Sequence, residues 1–527
     1  MIKNIKWLLL VSLTFVACNN DDDNAAPAEV PVVPGTAVFT KYVALGDSFA
    51  AGYSDGALFK KGQEGAYTTI LSQQFAAAGG GAFTIPFMSD NIGGLLLGGN
   101  VIAGPRLYFN GSAPVALTDK PTTEVGVHLT GTFNNLSVPG AKSYHLVTPG
   151  YGNVAGVATG TANPYFARFS SSPSTTVLAD AVVQTPTFFS LWIGGNDVLG
   201  YASSGGIGKD QKGNLNPATY GGNDITDPTV FANVYNTLVT GLTANGAKGV
   251  VANLPYINTL PYFVTVPYNP LTSSLLGNGN ATVGVATIKA LNAQLYGPLK
   301  QALTAFGAGD RINLLSETAA NPLLIKDETL TNLSAQLTAA FTPTLGAQTA
   351  AFYGQVFGQA RQTKQTSDGT FKDYVVLPTR TVIGTAPTAA NSGLGIAPPA
   401  PLDKFGITFP LQDKDVLIQS EITEIKVATD AYNATIEAVA KAKGLAFVDT
   451  RPIMAQLSNG GISFGNYTLS ATYVTGGAFS LDGIHPSARG YGLIANIFID
   501  AINTQFQSTL RRVDLGVYPI QYPKTIN

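Results

Sequence analysis

Tyr42-Val43-Ala44-Leu45-Gly46-Asp47-Ser48 is the stretch on which the reading of this chain turns. Four apolar residues closed by a glycine are too few for a helix and predict a short strand buried on both faces. Such strands belong to parallel sheets, whose ligands collect at the carboxyl ends of the strands. Ser48 stands at that end, entering a helical segment whose first amides could serve a developing oxyanion. Alone, Gly-Asp-Ser suits a turn or a helix cap equally well, because Asp and Ser favour both places.

Working outward, the same rhythm of strand, loop and helix recurs. Residues 67–78 carry Ile70, Leu71 and Phe75 near helical spacing and stop at Gly79-Gly80-Gly81. Residues 187–193 are rich in β-formers and end at Gly194-Gly195, and a helix over 230–243 leads into a strand over 249–253. Ile422, Ile425, Tyr432, Ile436 and Val439 share one helical face before a strand over 445–449. A final helix is expected from Pro486, a favoured first helical position, to about Asn503. Strands alternating with helices predict an α/β fold with a parallel sheet covered on both faces. Two stretches break the rhythm, about 79–133 and 265–413; we read them as insertions, the second with a helix over about 286–306, that decorate a smaller core or cap the site.

Composition narrows the chemistry. The chain has 527 residues, 45% hydrophobic and 12% charged, which excludes a disordered polymer. A net charge of -2 offers no excess of cations for phosphates, so no nucleic-acid partner is expected. Cys18 is the only cysteine, which excludes an intramolecular disulfide and cysteine-based zinc sites. With only His128, His145 and His485, a histidine-rich metal centre is also not expected. We expect no metal and no cofactor.

The second decisive stretch is Leu481-Asp482-Gly483-Ile484-His485-Pro486-Ser487. A carboxylate three residues before a histidine can accept a hydrogen bond from one imidazole nitrogen across a turn. The other nitrogen is then free to take a proton from a serine, the logic of a nucleophile, its base and an orienting acid.

These segments resemble the SGNH/GDSL hydrolase family, whose blocks begin with Gly-Asp-Ser and end with Asp-x-x-His. Two middle blocks appear in order, Asn135-Leu136-Ser137-Val138-Pro139-Gly140-Ala141 and Ile193-Gly194-Gly195-Asn196-Asp197. Phe49 stands where the family usually has leucine. The resemblance implies a flavodoxin-like sheet, Ser48, Asp482 and His485 as catalytic triad, and Ser48 N–H, Gly140 N–H and the Asn196 side chain as oxyanion hole. It implies that Asp47 and Asp197 brace loops. It also implies a serine ester hydrolase acting on a small-molecule or lipid ester, with a carbohydrate O-acetyl esterase as the alternative on the same core. A surface glycan-binding lipoprotein with a degenerate core is the rival from another class. Ile92-Gly93-Gly94-Leu95-Leu96-Leu97 suits an acyl-binding wall or ordinary core equally. Gly221-Gly222-Asn223-Asp224 repeats the third block without a strand before it, and Gly150-Tyr151-Gly152-Asn153-Val154-Ala155 imitates a nucleotide-binding fingerprint without one; both read as loops. His128 and His145 read as structural.

The first residues look like an address. Lys3 and Lys6 precede an apolar stretch from Trp7 to Val16 too short to span a bilayer. Phe15-Val16-Ala17-Cys18 resembles a bacterial lipobox, with Phe15 where leucine is usual. The resemblance implies a signal peptide over 1–17, lipid attachment at Cys18 and a tether over 18–38. The hydrolase domain would then occupy 39–505, with a tail over 506–527. Asp21-Asp22-Asp23 resembles the surface-export signal of Bacteroidetes lipoproteins, or is a charged spacer. The expected location is exported and lipid-anchored, in the outer membrane or displayed on the cell surface, so that a membrane is the expected partner.

Overall fold

The computed structural model describes residues 31–526. The segment carrying Cys18 and the expected signal peptide lies outside the described residues. At the centre is a parallel sheet of β1 (Tyr42–Gly46), β2 (Phe188–Trp192), β3 (Lys248–Ala252) and β4 (Ala446–Val448), in that spatial order. Segment 134–138 runs along the other edge of β1. Leu136 N–H donates to Ala44 O at 2.9 Å and Val138 N–H to Gly46 O at 3.0 Å. Taken in chain order the winding is that of flavodoxin-like sheets, reversing direction at β1. Ser48 follows β1 at that switch point, where open α/β sheets generally bind their ligands.

The strands are apolar throughout because both faces are covered. Helices Tyr67–Ala76 and Ala488–Phe506 pack together on one face. Helices Val177–Val182, Pro228–Thr243 and Gln419–Lys443 cover the other. Val43, Ala44, Leu45, Phe188, Phe189, Leu191, Val250 and Val251 are completely buried between them. Gly46 is needed where β1 meets β2, since a Cβ there would lie 2.5 Å from Trp192 O.

Two expected elements differ in detail. The last helix begins at Ala488, not at Pro486, because Ser487 is its cap: the Ser487 hydroxyl accepts from Gly490 N–H at 3.0 Å. Ser487 N–H is itself held by Ala478 O, which keeps the chain extended until that point. The single helix expected over 286–306 is instead Ala281–Leu291, a wider π turn at Asn292–Tyr296, and Gly297–Ala305. Pro298 has no N–H for the carbonyl four residues earlier and its ring crowds that carbonyl, so the helix widens before it.

The long second stretch has its own core, gathering residues from Val266 to Ile418 around Tyr296, Leu299, Leu324, Ile325, Leu337 and Phe357. Within it, Arg361 forks onto Asp373 at 2.6 and 2.9 Å while its Nε reaches Asp327 at 2.5 Å. All three side chains are at most 5% exposed. Asp373→Ala would leave a buried guanidinium half-paired, and should cost about 3–5 kcal/mol. A lower urea midpoint for the variant checks this.

Residues 79–133 form two short hairpins, Leu95–Leu97 with Asn100–Ala103 and Leu107–Phe109 with Pro114–Ala116. Between them the fully buried Arg106 donates to Asn91 O, Pro523 O and Lys524 O, tying the C-terminal tail to this insertion. Leu95 packs with Leu58, Met88, Val125 and Tyr165. Of the two readings of the leucine run, the structure therefore favours core. Among the described residues no helix is long and apolar enough to cross a membrane.

Candidate active site

Ser48 opens a one-turn helix, Ser48–Ala51, directly after β1. Asp47 caps it, its Oδ1 accepting from Phe49 N–H at 3.0 Å. Ser48 N–H, ahead of the first helical hydrogen bond, has no partner among the described residues. From the far end of the chain, the turn 482–485 brings His485 Nε2 to 2.8 Å from Ser48 Oγ. His485 Nδ1 lies 2.8 Å from Asp482 Oδ2. The structure thus joins three side chains that are 437 positions apart at the extremes into one hydrogen-bonded line.

The acid is held by more than the histidine. Asp482 Oδ1 accepts from the N–H groups of Ile484 and His485 at 2.9 and 2.8 Å, and Oδ2 accepts from Gly56 N–H at 3.0 Å. Burial opposes ionisation of Asp482, but the imidazole and these amides outweigh it and hold the carboxyl below the usual carboxylate range. The carboxylate is therefore a fixed acceptor that orients the ring, leaving Nε2 toward the serine.

The loop after the Ser48 helix does much of this positioning, and sequence reasoning missed it. Tyr53 O accepts from Tyr491 Oη, Ser54 Oγ donates to Pro486 O, and Asp55 N–H donates to Ser480 Oγ. Ser480 Oγ in turn donates to Asp482 Oδ1, while Asp55 Oδ1 accepts from Leu481 N–H. Burial pushes the Asp55 carboxyl up to about 7, and its second oxygen is buried without a hydrogen-bond partner. No sequence signal marked this loop: its telling feature is a non-glycine residue, Asp55, at φ 53°, and backbone conformation is invisible in one sequence.

The two middle blocks converge on the same place. Gly140 ends the segment beside β1 at φ 79°, a left-handed conformation that favours glycine; a Cβ there would meet nothing, so the requirement is the backbone alone. Gly140 N–H has no partner among the described residues. Asn196 starts the helix after β2 and donates its side-chain amide to Ala141 O at 3.0 Å, so the Asn196 amide is tied to the Gly140 turn. The preceding Gly195 lies against Asp47, 3.4 Å separating its Cβ position from Oδ2. The buried Asp197 accepts from Ser143 N–H and Oγ at 2.8 and 2.7 Å, bracing the loop after Gly140. Burial raises the carboxyls of Asp47, to about 7, and of Asp197.

The remaining motifs stay outside this constellation. His145 Nδ1 accepts from Lys142 N–H, and its ring stacks on Tyr151 at 4.4 Å. Burial pushes it down to about 4, so it is neutral and structural. His128 Nε2 pairs with Ser170 O. In the repeated Gly-Gly-Asn-Asp, Asp224 closes its own loop by accepting from Gly221 and Lys209 N–H. Among the described residues Glu328, Asp413 and Glu421 cluster closely enough to hold a cation. Burial pushes Asp413 up to about 7 and Glu421 to about 8, so shared protons can satisfy the group without one.

No protein-family model and no curated protein matches this chain. Among solved structures, an alpha/beta hydrolase enzyme from the metagenome of Lake Arreo, Spain (LAE5) aligns over 89% of this chain and 97% of its own, at 10% identity and a TM-score of 0.30.

Proposed function

We propose that this protein is a serine hydrolase of carboxylic esters working through an acyl-enzyme. The observation that carries the reading is the line Ser48 Oγ, His485 Nε2, His485 Nδ1, Asp482 Oδ2 with both links at 2.8 Å. His485 takes the Ser48 proton as Oγ attacks the ester carbonyl, and the carbonyl electron pair moves onto oxygen. Ser48 N–H, Gly140 N–H and the Asn196 amide are the donors available to that oxyanion. Collapse expels the alcohol, which receives the proton from His485. Water, deprotonated by the same imidazole, then releases the acid and restores Ser48. The order of the four sequence blocks, resembling the SGNH/GDSL family, supports the same assignment.

A fluorophosphonate probe tests it. One adduct per chain, mapped to Ser48 and accompanied by hydrolysis of p-nitrophenyl acetate or a longer homologue, is the expected result. A protein that remains unlabelled and inert toward every ester, yet binds glycan, would instead be the degenerate binding module. As part of the same reading, Cys18 carries the lipid that anchors an exported enzyme at the outer membrane. Cys18→Ser should then move the protein from the membrane pellet to the soluble fraction.

A further inference from the structure

Beside the Ser48 line the core is not filled. A cavity of about 40 Å³ has Asp47, Gly195 and Ile484 in its wall, the immediate neighbours of Ser48, Asn196 and His485. A second of about 60 Å³ lies beneath the last helix and is walled by Pro486, Met454, Ile494 and Phe498. Both are bounded by Phe49, Trp192, Pro255 and Leu260, so the two adjoin with the Phe49 ring in their shared wall. That ring stands 5.3 Å from the His485 ring and 5.2 Å from Trp192.

The deeper cavity is apolar by construction. Its two lining side chains with polar groups turn them away: Trp192 Nε1 donates to Asn253 O at 3.1 Å, and Thr450 Oγ1 bonds to the same asparagine. A space with no polar group facing it holds water poorly and takes apolar guests. Close-packed interiors rarely leave such a space, and here it starts one residue from the nucleophile, its base and an oxyanion donor. A chain of methylenes that passed Ile484 and Phe49 into the deeper cavity would find almost only carbon around it.

We propose that these adjoining cavities are the acyl-chain subsite, and that the substrates are esters of unbranched aliphatic acids longer than acetate, in preference to acetyl esters. The inference rests on Ser48 being the nucleophile. Phe49 and Leu260 form the neck, and Met454 and Ile494 set the depth.

The experiment is a series of p-nitrophenyl esters from acetate to decanoate, with fluorophosphonate labelling in parallel. For the wild type, kcat/KM should rise at least tenfold from acetate to octanoate, since each buried methylene is worth severalfold in binding. Ile494→Trp fills the cavity and should lower the octanoate-to-acetate ratio of kcat/KM at least tenfold. Met454→Ala deepens it and should move the optimum toward decanoate. Thermal melts and probe labelling report whether each variant is folded; if neither is, the wild-type series decides. A labelled enzyme that prefers acetate, or folded variants that leave the ratio unchanged, would overturn the acyl subsite alone. An unlabelled, inert wild type would overturn the nucleophile as well.

Discussion

Ser48→Ala and His485→Ala should each lower kcat for ester hydrolysis by about 10⁶-fold, and the double variant should lose no more than either single one. The reason is the single hydrogen bond of 2.8 Å between Ser48 Oγ and His485 Nε2. A serine hydroxyl is a weak nucleophile at neutral pH until a base removes its proton, and an imidazole without that serine has no acyl acceptor to activate. Each group is useless without the other, so their effects overlap instead of adding. What remains should come from Ser48 N–H, Gly140 N–H and Asn196, the proposed oxyanion donors, which the histidine variant keeps. Steady-state rates on one ester, with fluorophosphonate labelling as a second readout, check this. If the two single losses multiplied in the double variant, Ser48 and His485 would be acting in separate steps, and the line drawn through them would be wrong.

Much of the candidate site's arrangement was legible in the chain because its residues sit at the ends of buried strands. A continuous apolar run closed by glycine announces such a strand at Tyr42–Gly46 and again at Phe188–Trp192, and the site residues follow each directly. The Asp482 and His485 pair could be read because both belong to one turn. The loop 53–56 could not be read, since Tyr53, Ser54, Asp55 and Gly56 act through contacts with residues more than 420 positions away. The second core was equally hidden. Its helices Ser334–Leu345 and Ala347–Phe357 are rich in Ala, Thr and Gln, so their apolar faces are too weakly contrasted to show a helical period. The structure also gives that insertion a place at the site, because Tyr262 N–H, at its entry, donates to Gly483 O within the histidine turn.

Asp482→Asn should lower kcat by about 10⁴-fold while leaving the fold intact, and the direction follows from the acceptors this carboxylate provides. Ile484 and His485 N–H both point at Oδ1, so an asparagine keeps its oxygen there. Its NH₂ then occupies the Oδ2 position, facing Gly56 N–H and His485 Nδ1. Two donors meet at Gly56, and at His485 the imidazole must accept where it formerly donated. The ring responds by carrying its proton on Nε2, which now donates to Ser48 Oγ and cannot take its proton. Imidazole ¹⁵N shifts distinguish the two tautomers, a readout that a general loss of structure would not reproduce. The same substitution has a pH signature. The Asp482 carboxyl is held below its unfolded value, so the stability it contributes is present above about pH 4 and lost as pH falls through its folded value. The difference in urea stability between wild type and Asp482→Asn should therefore be largest near neutrality and shrink toward acid. A gap that instead widened in acid would mean that Asp482 is protonated in the folded protein, and a protonated acid could not fix the tautomer that the proposed role of Ser48 needs.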